Sequence, residues 1–379
     1  VTPSSAAERL HDPGSSPAQC ALEGEVVVTV WRGGWVENRH RAHVAVTTAT
    51  GALVASVGDA ARLTLVRSTA KPSQALAVLE SSPQLAECLD ARDIALLCAS
   101  HSAEPLHLLQ ATQLLRKLAL AESDLRCGGH PSLSDTVNRD WIRRGITPSA
   151  VCSNCSGKHI GQAAAARALT GSPADYHQFD HPLQGRVRQT LSELIELPVA
   201  DIGWAIDGCN LPTPALPLQR LAMLYARLAQ AADVVAQAAL AGSVQPSART
   251  RAMARLFTAM NLNPELVAGT GRFCTTLMTA YPGMLIGKVG ADGCYAVGLR
   301  AQAGTRLEDR AQALGVAVKV EDGNAVMVQA IVCEVLRQLQ IPLSSELRVF
   351  HAPPIVNTVG EEVGHVEIAL RLSAPIGDG

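Results

Sequence analysis

Runs of β-branched residues stand at the two ends of this 379-residue chain, while its middle carries helical periodicity. Val26–Trp31, His43–Thr47 and Leu53–Val57 form the N-terminal runs, separated by Gly33-Gly34 and Thr50-Gly51. Short strands broken by such turn residues predict an antiparallel meander. From Ser68 to about Tyr225 the spacing predicts helices over Ser73–Leu79, Glu104–Leu120, Gly157–Leu169, Leu183–Glu196 and Leu216–Leu228. A helix over Ser247–Ala259 follows, then strands Met284–Lys288 and Tyr295–Leu299 joined through Gly290-Ala291-Asp292-Gly293. Val316–Val320 reads as a strand, Asn324–Leu339 as a long helix and Val366–Leu372 as a closing strand. Strands from both ends most economically share one sheet. The expected fold class is therefore mixed α/β of the α+β kind. A central antiparallel sheet from the N- and C-terminal segments would be flanked by helices, with a helical lobe from the middle and a cleft between them. Residues 1–21, rich in Ser, Pro and Ala, read as a loose tail. Residues 22–379 read as a single domain, its sheet part spanning about 22–67 and 270–379 and its helical lobe about 68–269.

Composition narrows the function classes. Apolar residues make up 47% and charged residues 17%, a globular balance. A net charge of −2 without a basic cluster gives no footprint for nucleic acid. The apolar stretches are too short to span a bilayer, so no membrane partner is expected. No basic segment followed by an apolar run resembles a secretory signal, and the ten cysteines are too sparse for a disulfide framework. The expectation is a cytoplasmic protein with reduced thiols. Cys88, Cys98 and Cys333, in apolar helical stretches, read as small core residues.

Lysine usage points to chemistry. The chain has five lysines against 27 arginines, so a position that keeps lysine can need what arginine cannot supply, an uncharged amine. Lys71 stands in Ser68-Thr69-Ala70-Lys71, where strand gives way to helix. Residues three apart share a helical face, so hydroxyl and amine can meet, and burial favours the neutral amine that would take the serine proton. In isolation this spacing reads more simply as an N-cap serine beside a solvated lysine. Ser100-His101-Ser102 in a loop and Lys288-Val289-Gly290 at a strand end extend it. Order and spacing then follow the S-x-x-K, S-x-N, K-[TS]-G pattern of penicillin-recognising serine enzymes. Ser102 replaces the asparagine and Val289 the hydroxyl residue, which argues for serine acyl transfer but against β-lactam substrates. The glycine after the strand lysine would let substrate approach the backbone.

A second cluster mixes thiols and nitrogen. Cys152-Ser153-Asn154-Cys155-Ser156-Gly157-Lys158-His159 leads into a helix, and Asp207-Gly208-Cys209-Asn210 follows a short apolar strand. Two thiolates and a nitrogen can hold zinc with one position open. A redox C-x-x-C or metal-free thiols fit the same residues, and lysine is a rare zinc ligand, so chemistry alone leaves both readings open.

Six segments in order, Arg67–Pro72, Cys98–Ser102, Cys127–Pro131, Asn154–His159, Asp207–Pro212 and Gly287–Ala291, closely resemble the rhizobial-type, class 3 L-asparaginases. The resemblance runs from about Gly24 to about Leu372. It implies a serine β-lactamase/glutaminase-like (penicillin-binding-like) fold, a homodimer, and hydrolysis of L-asparagine to L-aspartate and ammonia. It places the two Ser–Lys tandems on Ser68–Lys71 and Ser100–Lys288. It implies zinc on Cys155, Lys158 and Cys209, supporting substrate binding rather than hydrolysis, with Arg67, Asp207 and His159 binding substrate. Cys152 lies outside the pattern.

The mechanism expected from these residues has Ser68 attack the side-chain amide with neutral Lys71 as base. Ser100 and Lys288 would relay protons, and backbone N–H groups would hold the oxyanion, a contribution of more than ~2.7 kcal/mol per donor. The rivals are a penicillin-type acyl-serine hydrolase and a zinc- or redox-responsive binding protein using Cys152, Cys155 and Cys209.

Overall fold

The computed structural model describes residues 24–242, 245–301 and 312–374. The tail expected at 1–21 lies outside them. The β-branched runs form β1 (Glu25–Arg32), β2 (Trp35–Thr48), β3 (Leu53–Val57) and β4 (Leu63–Leu65). Later strands are β5 (Gly203–Ile206), β6 (Pro212–Pro217), β7 (Leu285–Gly290), β8 (Cys294–Leu299), β9 (Leu314–Val320), β10 (Ile355–Val356) and β11 (Glu362–Ile368). The main sheet runs β10-β11-β1-β2-β9-β8-β7, with β3 also on β2. All its pairings are antiparallel. Val28 faces Ile368 and Val44 faces Val318, so the chain ends do build one sheet. The mixed α/β class holds.

Burial explains the central strands. Every residue of β8 is buried, and a strand covered on both faces needs a continuous apolar run. Leu218–Ala241 packs on β2, β8 and β9, and Ala325–Gln338 also packs on β8 and β9. The outer β11 is only half-buried, and its pairing with β1 fixes it at Glu362–Ile368, several residues before the expected Val366–Leu372. Its alternating polar residues hide it from a search for apolar runs.

The middle departs from pure helix. Leu63–Leu65, Gly203–Ile206 and Pro212–Pro217 form a second sheet in the order β4-β6-β5. The helix expected from Leu216 instead starts at Leu218 after a proline-ended strand and runs to Ala241, closed by Gly242 in the left-handed conformation. Short helices Pro83–Cys88 and Ala91–Leu97 start at capping residues Ser82 and Asp90. Cys98 and Cys333 are buried as expected, but Cys88 ends a surface helix and is exposed. Cys152 packs with Ala103 and Trp141 in a small separate core.

Candidate active site

Three segments bring one hydroxyl and two amines together. A short 3-10 turn, Arg67–Ala70, leads into the helix Lys71–Leu79, all of which is buried, with Pro72 suited to its first turn. Ser100 follows the helix Ala91–Leu97 in an extended stretch whose Ser100 N–H donates to Val267 O. Lys288 lies on β7, the terminal strand of the main sheet. Lys288 Nζ is 2.7 Å and Lys71 Nζ 3.0 Å from Ser100 Oγ. Lys71 also donates to Ala99 O and, at 3.4 Å, to Asn154 O, while Lys288 donates to Val289 O at 2.8 Å. The Lys71 backbone N–H donates to Ser68 O, but no hydrogen bond joins the Ser68 hydroxyl to the Lys71 amine among the described residues. Lys71 instead turns to Ser100, and Ser68 is half-buried.

Burial sets the protonation of these amines. Both side chains are at most 1% exposed, and neither forms an ion pair with a carboxylate among the described residues. Desolvation lowers the Lys71 pKa, opposed by the nearby Cys155 thiolate. For Lys288 burial and then Lys71 push it well below the ordinary lysine value. A neutral amine has two N–H donors and a lone pair. Lys71 can aim its donors at Ala99 O and Asn154 O and its lone pair at the Ser100 hydroxyl proton. That is the arrangement of a base with its nucleophile.

The neighbouring glycine and serine have structural partners. A Cβ on Gly290 would sit 2.8 Å from Val66 O and 3.2 Å from Thr69 Cγ2, so its bareness lets β7 lie against the Arg67–Ala70 turn. Ser102 is fully buried and donates to Ala268 O. Its hydroxyl is taken up by that backbone bond and does not stand in for the asparagine of the penicillin-type pattern.

The thiol cluster adjoins this centre. The helix Ser156–Thr170 starts after Cys155 and carries Lys158, 5% exposed. Lys158 Nζ is 3.0 Å from Cys209 Sγ, which follows β5 in a turn where Asn210 has φ 69°. The Cys209 thiol and, against burial, the amines of Lys71 and Lys158 hold Cys155 below the ordinary thiol pKa, although its Sγ also lies 2.9 Å from Asn154 Oδ1, a contact that favours the thiol. Cys209 is the partner that keeps its proton. Burial opposes the charge on Lys158, but the sulfurs of Cys209 and Cys155 raise its pKa. Among the described residues no three His, Cys, Asp or Glu side chains gather as a metal shell. The donor set is two sulfurs and one amine, which suits zinc with a fourth position open once the metal displaces the protons of Cys209 and Lys158.

Arg67 links the two halves. Its Nε and Nη2 lie 3.1 and 3.0 Å from Asp207 Oδ1, and its Nη1 reaches Asp292. Arg67 itself has φ 50°, a strained value for a non-glycine residue immediately before Ser68. Burial would raise the Asp207 pKa, but Lys158 and Arg67 outweigh it and hold the carboxyl below its usual range. His159 is fully buried, its Nδ1 2.5 Å from the Tyr176 hydroxyl, and its Nε2 has no hydrogen-bond partner among the described residues.

Sequence reasoning missed Asn154 O as a partner of Lys71, and Arg272, whose Nη1 is 2.7 Å from Ser100 O. Neither carries a local signal, because one acts through its backbone and the other is one of many arginines. An open groove of about 990 Å³ lies elsewhere, lined by Leu79, Ile94, Ala252 and Arg255. None of the Ser–Lys or thiol residues lines it, so chemistry rather than volume locates the site.

A hydroxyl held between buried amines, beside a polarised thiol–carboxylate cluster on a mixed α/β fold, defines a hydrolase. The L-asparaginase II family model matches residues 28–368, nearly the whole chain, and the chain belongs to that family. It is thus an L-asparaginase-type amidohydrolase, an enzyme acting on an amide with asparagine as its substrate. No curated protein matches the chain.

Proposed function

We propose that the enzyme hydrolyses L-asparagine through a serine ester formed with a neutral lysine as base. The observation that carries this reading is the pair of buried amines within 3.0 Å of Ser100 Oγ. Lys71 takes the hydroxyl proton as Oγ bonds to the side-chain amide carbon. The C–N bond then breaks, and that proton leaves with the nitrogen as ammonia. Water attacks the β-aspartyl ester, gives its proton to an amine, and releases aspartate and the free serine. Lys288 shares the proton through Ser100. Backbone N–H groups near β7 and the Arg67–Ala70 turn are the natural oxyanion donors.

A second reading makes Ser68 the attacking hydroxyl, with Ser100 as relay. Its greater exposure and its place three residues before Lys71 favour it. Acid quench during turnover of labelled asparagine, followed by peptide mapping, separates the readings. Label on Ser100 supports the first, label on Ser68 the second, and no ester on either removes both.

Cys155, Lys158 and Cys209 would hold zinc, which would supply a fixed positive charge for binding the amino-acid head group. Arg67, Asp207 and the free Nε2 of His159 would complete that recognition. The family resemblance further supports a homodimer, the sparse cysteines a reducing, cytoplasmic setting, and the sequence pattern one domain over residues 22–379 of sheet part and helical lobe. Light scattering of the purified chain tests the dimer.

A further inference from the structure

Three basic side chains surround Ser100, and no carboxylate pairs with any of them among the described residues. Lys71 and Lys288 meet its hydroxyl, and Arg272 Nη1 donates to its carbonyl at 2.7 Å. The Arg272 side chain has no other hydrogen bond or ion pair among the described residues. A guanidinium stays charged in proteins, so the lysines are the groups that yield.

The backbone fixes Arg272 in this place. Ser100 N–H donates to Val267 O and Ser102 N–H to Ala268 O, both at 2.9 Å, so the two segments run side by side. Thr270 N–H and Oγ1 donate to the two Glu104 carboxylate oxygens at 2.8 and 2.9 Å, holding the loop from its other end. Gly269 has φ 128°, and a Cβ there would lie 2.6 Å from Glu104 Oε1 and 2.9 Å from Ser102 Oγ. Arg272 then stands immediately before the helix Phe273–Ala280. So closely laid a loop delivers one cation to the backbone of one serine.

We propose that Arg272 is a positioning residue: it pins Ser100 through its carbonyl and sets a fixed charge beside the Ser100–Lys288 pair. This rests on the Ser–Lys reading above but holds whichever serine attacks. The titratable groups facing Lys288 are Lys71, Cys98, Cys155, Cys274, Cys294 and Arg272. Burial of Lys288 and the charge of Lys71 act in the same direction as Arg272.

The test is the pH dependence of kcat/KM for the full chain and for Arg272→Gln, Arg272→Lys and Lys288→Met, with melting temperatures measured alongside. Glutamine can still donate to Ser100 O but carries no charge. Activity rises with pH as Lys288 loses its proton, so Arg272→Gln should move the midpoint of that rise upward by about one pH unit. Arg272→Lys should leave the midpoint in place while lowering kcat several-fold through the lost guanidinium contact with Ser100 O. An unmoved midpoint in folded Arg272→Gln overturns the proposal. If the glutamine variant does not fold, a shifted midpoint in Arg272→Lys overturns it instead. Lys288→Met should be inactive. Wild-type turnover and pH profile in that variant overturn the Ser–Lys reading as well, which separates the two failures.

Discussion

Lys288 Nζ lies 2.7 Å from Ser100 Oγ across 188 residues of chain. The contact joins an outer strand of the sheet to a loop of the helical middle, and Lys71 closes it from a third element. A hydroxyl with two buried amines and no carboxylate is a costly arrangement for stability. It repays that cost only as a proton acceptor.

Lys71→Arg keeps a cation but cannot accept a proton. Together with Ser100→Ala it should lower kcat by at least about 10³-fold, as expected for loss of a base or nucleophile. A coupled ammonia assay measures this, and turnover within tenfold of wild type in either variant would remove the Lys71–Ser100 pair from the chemistry.

Lys288→Met should trade activity for stability. The unfolded chain binds the proton near 10.5, whereas the folded chain binds it only well below that. Between those values the unfolded state holds more protons, so stability is lost as pH falls from 10.5 through the folded pKa. Methionine removes this penalty and should stabilise the protein by about 0.5–2 kcal/mol at neutral pH. Thermal melts at several pH values check the sign, since the gain should shrink as pH approaches 10.5.

Asp207→Asn breaks the charge pair with Arg67 but leaves Arg67 its contact with Asp292. If the pair recognises the substrate head group, KM should rise roughly tenfold, about 1.4 kcal/mol, with a smaller change in kcat. A fall in kcat with KM unchanged would place the pair in the chemical step.

Cys209→Ser tests the metal directly. Plasma emission analysis of the wild type should find about one zinc per chain, the stoichiometry of a single three-ligand site. The serine variant should lose most of it. Chelator should raise KM more than it lowers kcat; equal metal content in both proteins would refute the ligand assignment.

Gly157→Ala probes the scaffold. A Cβ there would stand 2.2 Å from Leu96 O, so the helix carrying Lys158 would have to move off the segment leading to Ser100. The expected loss is about 2–4 kcal/mol, in the range for overpacking a tight backbone contact. An alanine variant melting at the wild-type temperature would show that the two segments are not held at this spacing.

Much of the scaffold was legible. Leu53–Val57 is the strand its β-branched run predicts, and the other apolar runs of the main sheet lie on its strands, although β2 begins at Trp35, well before the run at His43–Thr47. The small β4-β6-β5 sheet was not, because Pro212–Pro217 carries three residues that read as breakers rather than as strand. Ser68 and Lys71 share a motif, yet Lys71 pairs with Ser100. Motif spacing brought both residues to one turn but could not say where a long side chain would point.

Local order, periodicity and the rarity of lysine determined the fold class and singled out Lys71, Lys158 and Lys288, because those signals lie within a few residues of each other along the chain. Tertiary packing alone decided that two of those amines converge on Ser100, that Arg67 is shared by Asp207 and Asp292, and that Arg272 reaches Ser100. The reason is distance along the chain: such contacts are set by how buried segments stack, and only in the assembled interior do desolvation and neighbouring charge together decide which lysine gives up its proton.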